Sequence, residues 1–180
     1  EEVLELSANG AKVLHSRCVE YARRFKVPVH VRSSFSNKEG TWLISDDERK
    51  PGMEQPIISG IAQDLGDAKV TIIGVPDKPG IAYQILGPIA DANIDVDMII
   101  QNVGAVGTTD FTFTVNKNDL NKALAILNEK VKGHVGAREV NGNDKIAKVS
   151  IVGVGMRSHV GVASQMFRTL SEEGINIDMI

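Results

Sequence analysis

Residues 68–99 read AKVTIIGVPDKPGIAYQILGPIADANIDVDMI, and most of that stretch returns at residues 147–180 as AKVSIVGVGMRSHVGVASQMFRTLSEEGINIDMI. The offset is 79 up to Val75/Val154 and 81 from Gly80/Gly161 onward, the difference being two residues inserted in the loop; 13 of 28 paired positions are identical. Unrelated sequences of ordinary composition would share about one position in 16 to 20. The chain therefore contains one structural unit twice.

Each copy opens on an apolar run with the period of a strand, Val70, Ile72 and Gly74 set against Thr71, Ile73 and Val75. Pro76, Asp77 and Pro79 break it. From Gly80 the apolar positions Ile81, Ile85, Leu86, Ile89 and Ala92 recur at helical spacing, and Asn93 closes that helix. A second strand is expected over 94–103, a turn over 104–109 and a third strand over 110–115, with Phe111, Phe113 and Val115 on one face. Leu120, Ala123, Leu124 and Leu127 mark a second helix started by Asn118 or Asp119, and 134–140 reads as a fourth strand. This βαββαβ order is the split βαβ, ferredoxin-like plan, an α+β fold with both helices on one face of an antiparallel sheet. The second copy holds only a first strand, a first helix and the opening of a second strand. Residues 55–64, with Ile57, Ile58, Ile61 and Ala62, are expected to lend it a strand, which makes the first copy an insertion within the second.

Bulk composition narrows the function classes. The chain has 180 residues, 42% hydrophobic, with a net charge of −3 and a pI near 5.8, so no general attraction to nucleic acid or anionic membrane is expected. A single cysteine, Cys18, rules out an internal disulfide framework and suits a reducing compartment. No apolar run approaches the roughly 18 residues of a membrane span, and a cytoplasmic location is expected. The start, Glu1-Glu2-Val3, has no initiator Met, which reads as a piece of a longer protein.

Ahead of the repeat, Val3, Leu6, Leu14, Cys18, Tyr21, Ala22 and Phe25 give a helical pattern over 1–25, interrupted near Asn9-Gly10. Residues 27–31 and 40–44 read as strands. Arg17, Arg23, Arg24 and Lys26 interleave with Glu20 on a solvated face, and His15 and His30 lack partners at metal-ligand spacing. Residues 46–54, DDERKPGME, are charged and broken by Pro51-Gly52, which marks a linker.

These residues resemble the aspartate kinase (aspartokinase) family. ELSANGAKVLHSRCVEYARRFKVPVHVRSSF followed by GTWLI is similar to the last helix and strands of its catalytic, amino-acid-kinase domain, here residues 1–45. VTIIGVPDKPGIA, NIDVDMIIQN and GTTDFTFTV resemble one ACT domain, residues 68–145, and VSIVGVGMRSHVGVA with NIDMI a second, truncated one at 146–180 to which 55–67 adds a strand. The resemblance implies a regulatory module that binds the end products lysine and threonine at ACT-to-ACT interfaces of a homodimer. The family phosphorylates the β-carboxylate of aspartate with Mg-ATP. Its nucleotide and aspartate motifs are absent here, so this chain is expected to need no cofactor and to be inactive alone.

Residue chemistry supplies a place for an amino acid. Pro79-Gly80 opens a helix whose first N–H groups have no internal partner, which favours a carboxylate. Asp77 is placed to accept from an ammonium group, and Asp95, Val96, Asp97 and Gln101 offer donors and acceptors at a sheet edge. By resemblance the effector contacts are Asp77, Lys78, Pro79, Gly80, Ile81, Ala82, Asp95, Val96, Asp97 and Gln101 in the first copy, and Val162, Ala163, Asn176 and Ile177 in the second. PDKPG and GMRSHVG cannot build the same pocket, so two unequal sites, or one that binds well, are expected. Met98 and Met179 read as core.

Other classes fit less well. An RNA-binding sheet would need its aromatics on the open face, whereas Phe111 and Phe113 share the face that packs on helices. Gly153-x-Gly155 is followed by its next glycine only at Gly161, which spoils a dinucleotide fingerprint. Cys18 and Ser158-His159 lack a third catalytic partner. A dimerisation module without effector is the alternative, since the strand over 94–102 is an exposed edge.

Overall fold

Glycine divides the N-terminal helical pattern. In the computed structural model, which describes residues 1–45, 57–103, 107–157 and 159–180, α1 spans Glu2–Ala8 and α2 spans Ser16–Arg24. Between them Gly10 adopts φ +107°, and a Cβ there would stand 2.5 Å from the Gln63 carbonyl oxygen. His15 serves α2 as its cap, accepting from Arg17 N–H at 3.2 Å. A hairpin of β1 (Val29–Val31) and β2 (Thr41–Leu43) follows, with His30 stacked on Trp42 at 3.9 Å. Both histidines thus have structural work, and no group of His, Cys, Asp and Glu able to hold a metal occurs among the described residues. The linker read at 46–54, residues 104–106 of the expected turn and Ser158 lie outside the described residues.

The chain divides into two compact units: 1–64, which includes these helices and the hairpin, with 149–180, and Leu65–Lys148. In the first, β3 (Gly60–Asp64) pairs with β8 (Lys148–Val152), the opening strand of the second copy, and Ser59 N–H donates to Val152 O at 2.8 Å. The helix of that copy is α6, Val162–Glu172. The strand expected after it is not formed: 175–180 carry no strand structure. Strand geometry needs a ladder to satisfy its backbone groups, and no described strand lies beside this segment.

The unit Leu65–Lys148 is a complete βαββαβ module. It runs β4 (Asp67–Pro76), α3 (Ile81–Asp91), β5 (Val96–Val103), β6 (Thr108–Asn116), α4 (Leu120–Ile126), α5 (Lys132–Val135) and β7 (Glu139–Asn143). Its sheet has the order β5-β6-β4-β7, with every neighbour antiparallel. Val70, Ile72, Phe111, Phe113 and Val115 are buried against Ile81, Ile85 and Ile89 of α3 and Ala123, Leu127, Val131 and Val135 of the second helical segment. The aromatics are on the helix side, as their alternation requires.

Three details differ from the sequence reading. The strict alternation of β4 fails between Ile72 and Val75, where the register slips and Gly74 takes φ +70° with its N–H on Asp110 Oδ1 at 2.8 Å. That bulge turns Val75, not Gly74, into the core. Asp119 stands at the N-cap of α4 but makes no side-chain cap bond there; Asn116 instead accepts from Asn118 N–H at 3.0 Å and starts a 3₁₀ turn over Lys117–Asp119. The strand placed at 134–140 starts later, because the helix continues through a π turn at Leu127–Val131 to Val135. Its buried positions Ala123, Leu127, Val131 and Val135 step by four residues, and an α-helix rotates such a row away from the core; the wider turn brings it back. Gly136 at φ +70° then ends the helix.

Candidate effector site

The repeat is most faithful at the two ends of its helix. Gly80 caps α3 at φ 88°, ψ −5°, and Gly161 caps α6 at φ 92°, ψ −3°. Gly80 O accepts from Gln84 N–H at 3.1 Å, and Gly161 O from Gln165 N–H at 2.9 Å. Neither helix start has a side-chain cap, and nothing lies within 4 Å of where a Cβ would stand on either glycine. The amides of Ala82, Val162 and Ala163 therefore sit in first turns with no acceptor supplied by their own helix, beside open space. At the other end the match persists: Asn93 (φ +56°) and Gly174 (φ +68°) are both left-handed, and Ile94 N–H returns to Ile89 O as Ile175 N–H returns to Leu170 O.

The loops before the glycines differ. In the first copy Asp77 N–H donates to Gly107 O at 3.0 Å and Lys78 N–H to Pro76 O at 3.1 Å, leaving Asp77, Lys78 and Pro79 exposed. In the second, Val154–Arg157 forms a 3₁₀ turn and His159 Nδ1 shares a hydrogen bond with Gly155 O at 2.9 Å.

The sheet does not gather all the candidates of the first copy. Strands β4 and β5 both run antiparallel to β6, so they point the same way: Val96 is level with Val115 and Ala68, Gln101 with Phe111 and Ile72, and Val103 with Thr109 and Val75. Asp95, Val96 and Asp97 thus lie at the end where β4 begins, while Asp77 to Ala82 lie where it finishes, roughly 20 Å away at strand rise. Gln101 is the nearer one, on the helix-bearing face of the edge strand. Within one module, then, the ten residues fall into two groups at opposite ends of the sheet. In the second copy Val162 and Ala163 open α6, and Asn176 and Ile177 lie in a segment without strand structure.

Sequence reasoning missed Lys148. Its Nζ lies 2.5 Å from Asp97 Oδ2 and 3.0 Å from Asp67 Oδ2. Burial alone would lower the pKa of this ammonium, but hydrogen bonds and charge from Asp97 and Asp67 outweigh it and leave the value raised. Asp97 therefore meets an internal cation. Pairing of Lys148 with Lys69 in the repeat hides the role, since Lys69 is the aligned residue.

Comparison with known proteins assigns the modules. Models of the ACT domain match residues 69–131 and 149–180. The aspartokinase of Pseudomonas aeruginosa is 57% identical over 180 residues, covering all of this chain and 43% of that protein. The regulatory subunit of aspartate kinase from Thermus thermophilus, in its ligand-free form, is 42% identical with a TM-score of 0.64, covering 69% of this chain and 82% of that one. The chain belongs to the aspartokinase family. Aspartokinase III of E. coli, in complex with lysine and aspartate, is 25% identical with a TM-score of 0.66 over 99% of this chain and 38% of that one. The chain spans 43% of the length of the curated aspartokinases it matches, and its two copies are aspartokinase ACT domains. No helix among the described residues is long and apolar enough to cross a membrane.

Proposed function

We propose that this chain is the feedback-sensing part of an aspartate kinase, binding lysine, threonine or both where ACT modules of a dimer meet, and so lowering Mg-ATP-dependent phosphorylation of aspartate. Mg-ATP serves the kinase domain in this reading; the chain itself uses no cofactor. The observation that carries the proposal is the pair of glycine-capped helix starts with open space in front of them. A bound carboxylate there gains from unpaired amides and from the helix dipole, about 0.3 to 1 kcal/mol for the latter, and a glycine lets it come close to the backbone. It agrees with lysine being a ligand of the E. coli relative. A coupling of about 1 to 3 kcal/mol between effector and kinase would change substrate affinity some 5- to 150-fold.

Pure dimerisation is the second reading, favoured by the edge strand β5 with Ile99 51% exposed. Thermal unfolding of the chain with added lysine, threonine or a control amino acid separates the two. Effector binding raises the unfolding midpoint, by the equivalent of about 2.7 kcal/mol at a hundredfold excess over Kd. An unmoved midpoint at millimolar lysine and threonine leaves dimerisation as the function.

A further inference from the structure

Helix α1, in a segment that resembles the end of another domain, packs on the β3–β8 sheet. Gly60 carries no side chain where Leu6 comes to 3.0 Å of the Cβ position, and Gly10 carries none against the Gln63 carbonyl. Asn9 Oδ1 accepts from Ser150 Oγ at 3.2 Å. At the N-terminal end one carboxylate oxygen, Glu2 Oε1, accepts both from Ser59 Oγ, just before β3, and from Val154 N–H at 3.4 Å. Val154 begins the 3₁₀ turn of the loop that leads to Gly161. That loop is held from beneath as well, since a Cβ on Gly153 would overlap the backbone of Ile57. An acidic residue in a first turn ordinarily serves the helix dipole from solvent; Glu2 is half-buried and bonded to another segment.

We infer that Glu2 is a positioning residue that ties the turn Val154–Arg157 to α1, so that a ligand settling at the start of α6 is felt in the helix that resembles the end of the kinase domain. The ligand part rests on the effector reading above; the tie itself does not. A two-donor acceptor fixes the loop's first amide relative to the helix, and a loop that moves must either carry α1 with it or break both bonds.

Hydrogen exchange on the whole 180-residue chain tests this, with Glu2→Ala and Glu2→Gln, the latter keeping an acceptor oxygen and the shape of the side chain. Without ligand, Val154 is expected to exchange about tenfold faster in Glu2→Ala than in the parent, as loss of one hydrogen bond implies, and close to the parent rate in Glu2→Gln. With saturating lysine or threonine, the parent and Glu2→Gln slow exchange in both the loop and α1, while Glu2→Ala slows it in the loop alone. Equal Val154 rates in the parent and Glu2→Ala overturn the tie, and an undiminished α1 response in Glu2→Ala overturns its coupling role. If neither amino acid changes any exchange rate in the parent, the effector reading fails while the ligand-free arm still decides the tie. A Glu2→Ala chain that does not fold leaves the decision to Ser59→Ala, which removes the other donor and is expected to loosen Val154 and α1 together.

Discussion

At the scale of single residues, left-handed glycines and one half-buried ammonium bear most of the consequences. Gly74 has φ +70° in the bulge of β4, and a Cβ there would meet Arg138 Cβ at 3.3 Å. Gly74→Ala is expected to cost about 1 to 2 kcal/mol from backbone strain, read as a lower urea midpoint with unchanged slope. Lys148 makes a different prediction. Replacing it with Met leaves the half-buried Asp67 carboxylate without its cation and is expected to cost roughly 1 to 3 kcal/mol, with the more exposed Asp97 adding little. Because the folded-state pKa of Lys148 is raised, its contribution is complete below the ordinary lysine value and is lost as pH rises through the folded one. Stability of the parent minus that of Lys148→Met, measured by urea unfolding, should hold constant from neutral to mildly alkaline pH and shrink only above the ordinary lysine range. These residues were partly legible in the sequence. Gly80 and Gly161 stood out through the repeat, whereas Lys148 depends on which strands lie beside it, a matter no local pattern encodes.

Among elements, the second helical segment shows where local signals compete. Asp119 holds the N-cap position of α4 without a side-chain bond, while the side-chain cap comes from Asn116, at the start of the 3₁₀ turn that precedes the α-helix. Asn116→Ala is therefore expected to lower stability by about 1 kcal/mol, and Asp119→Ala by under about half of that; thermal unfolding of both variants checks the order. The late start of β7 has a similar origin. Apolar residues at every fourth position resemble neither a strand nor a plain α-helix, and only packing against α3 decides for a helix with a π turn. Strand β5 starts two residues after the expected 94 and ends at the expected 103. An 11-residue helix returns the chain across the sheet, so residues just after α3 must lie at the far end from those just before it. Topology alone therefore separates Asp95–Asp97 from Asp77–Ala82 within one module.

For the whole molecule, internal repetition made the architecture readable: a doubled segment at this identity requires two like modules, and the complete one has the expected βαββαβ succession of elements with an antiparallel sheet. The pairing of β3 with β8 shows the second module drawing on residues before the first. Repetition says less about ligands, because the loops that differ, Pro76–Gly80 and Gly153–Gly161, are the ones beside the helix starts. Unequal loops predict unequal affinities. Isothermal titration of the chain with lysine and with threonine is the direct measurement. The account predicts saturable heat for at least one of them, with either a single strong site per chain or two sites of distinct affinity. The absence of heat for both at millimolar concentration, or two identical independent sites per chain for one amino acid, would contradict it.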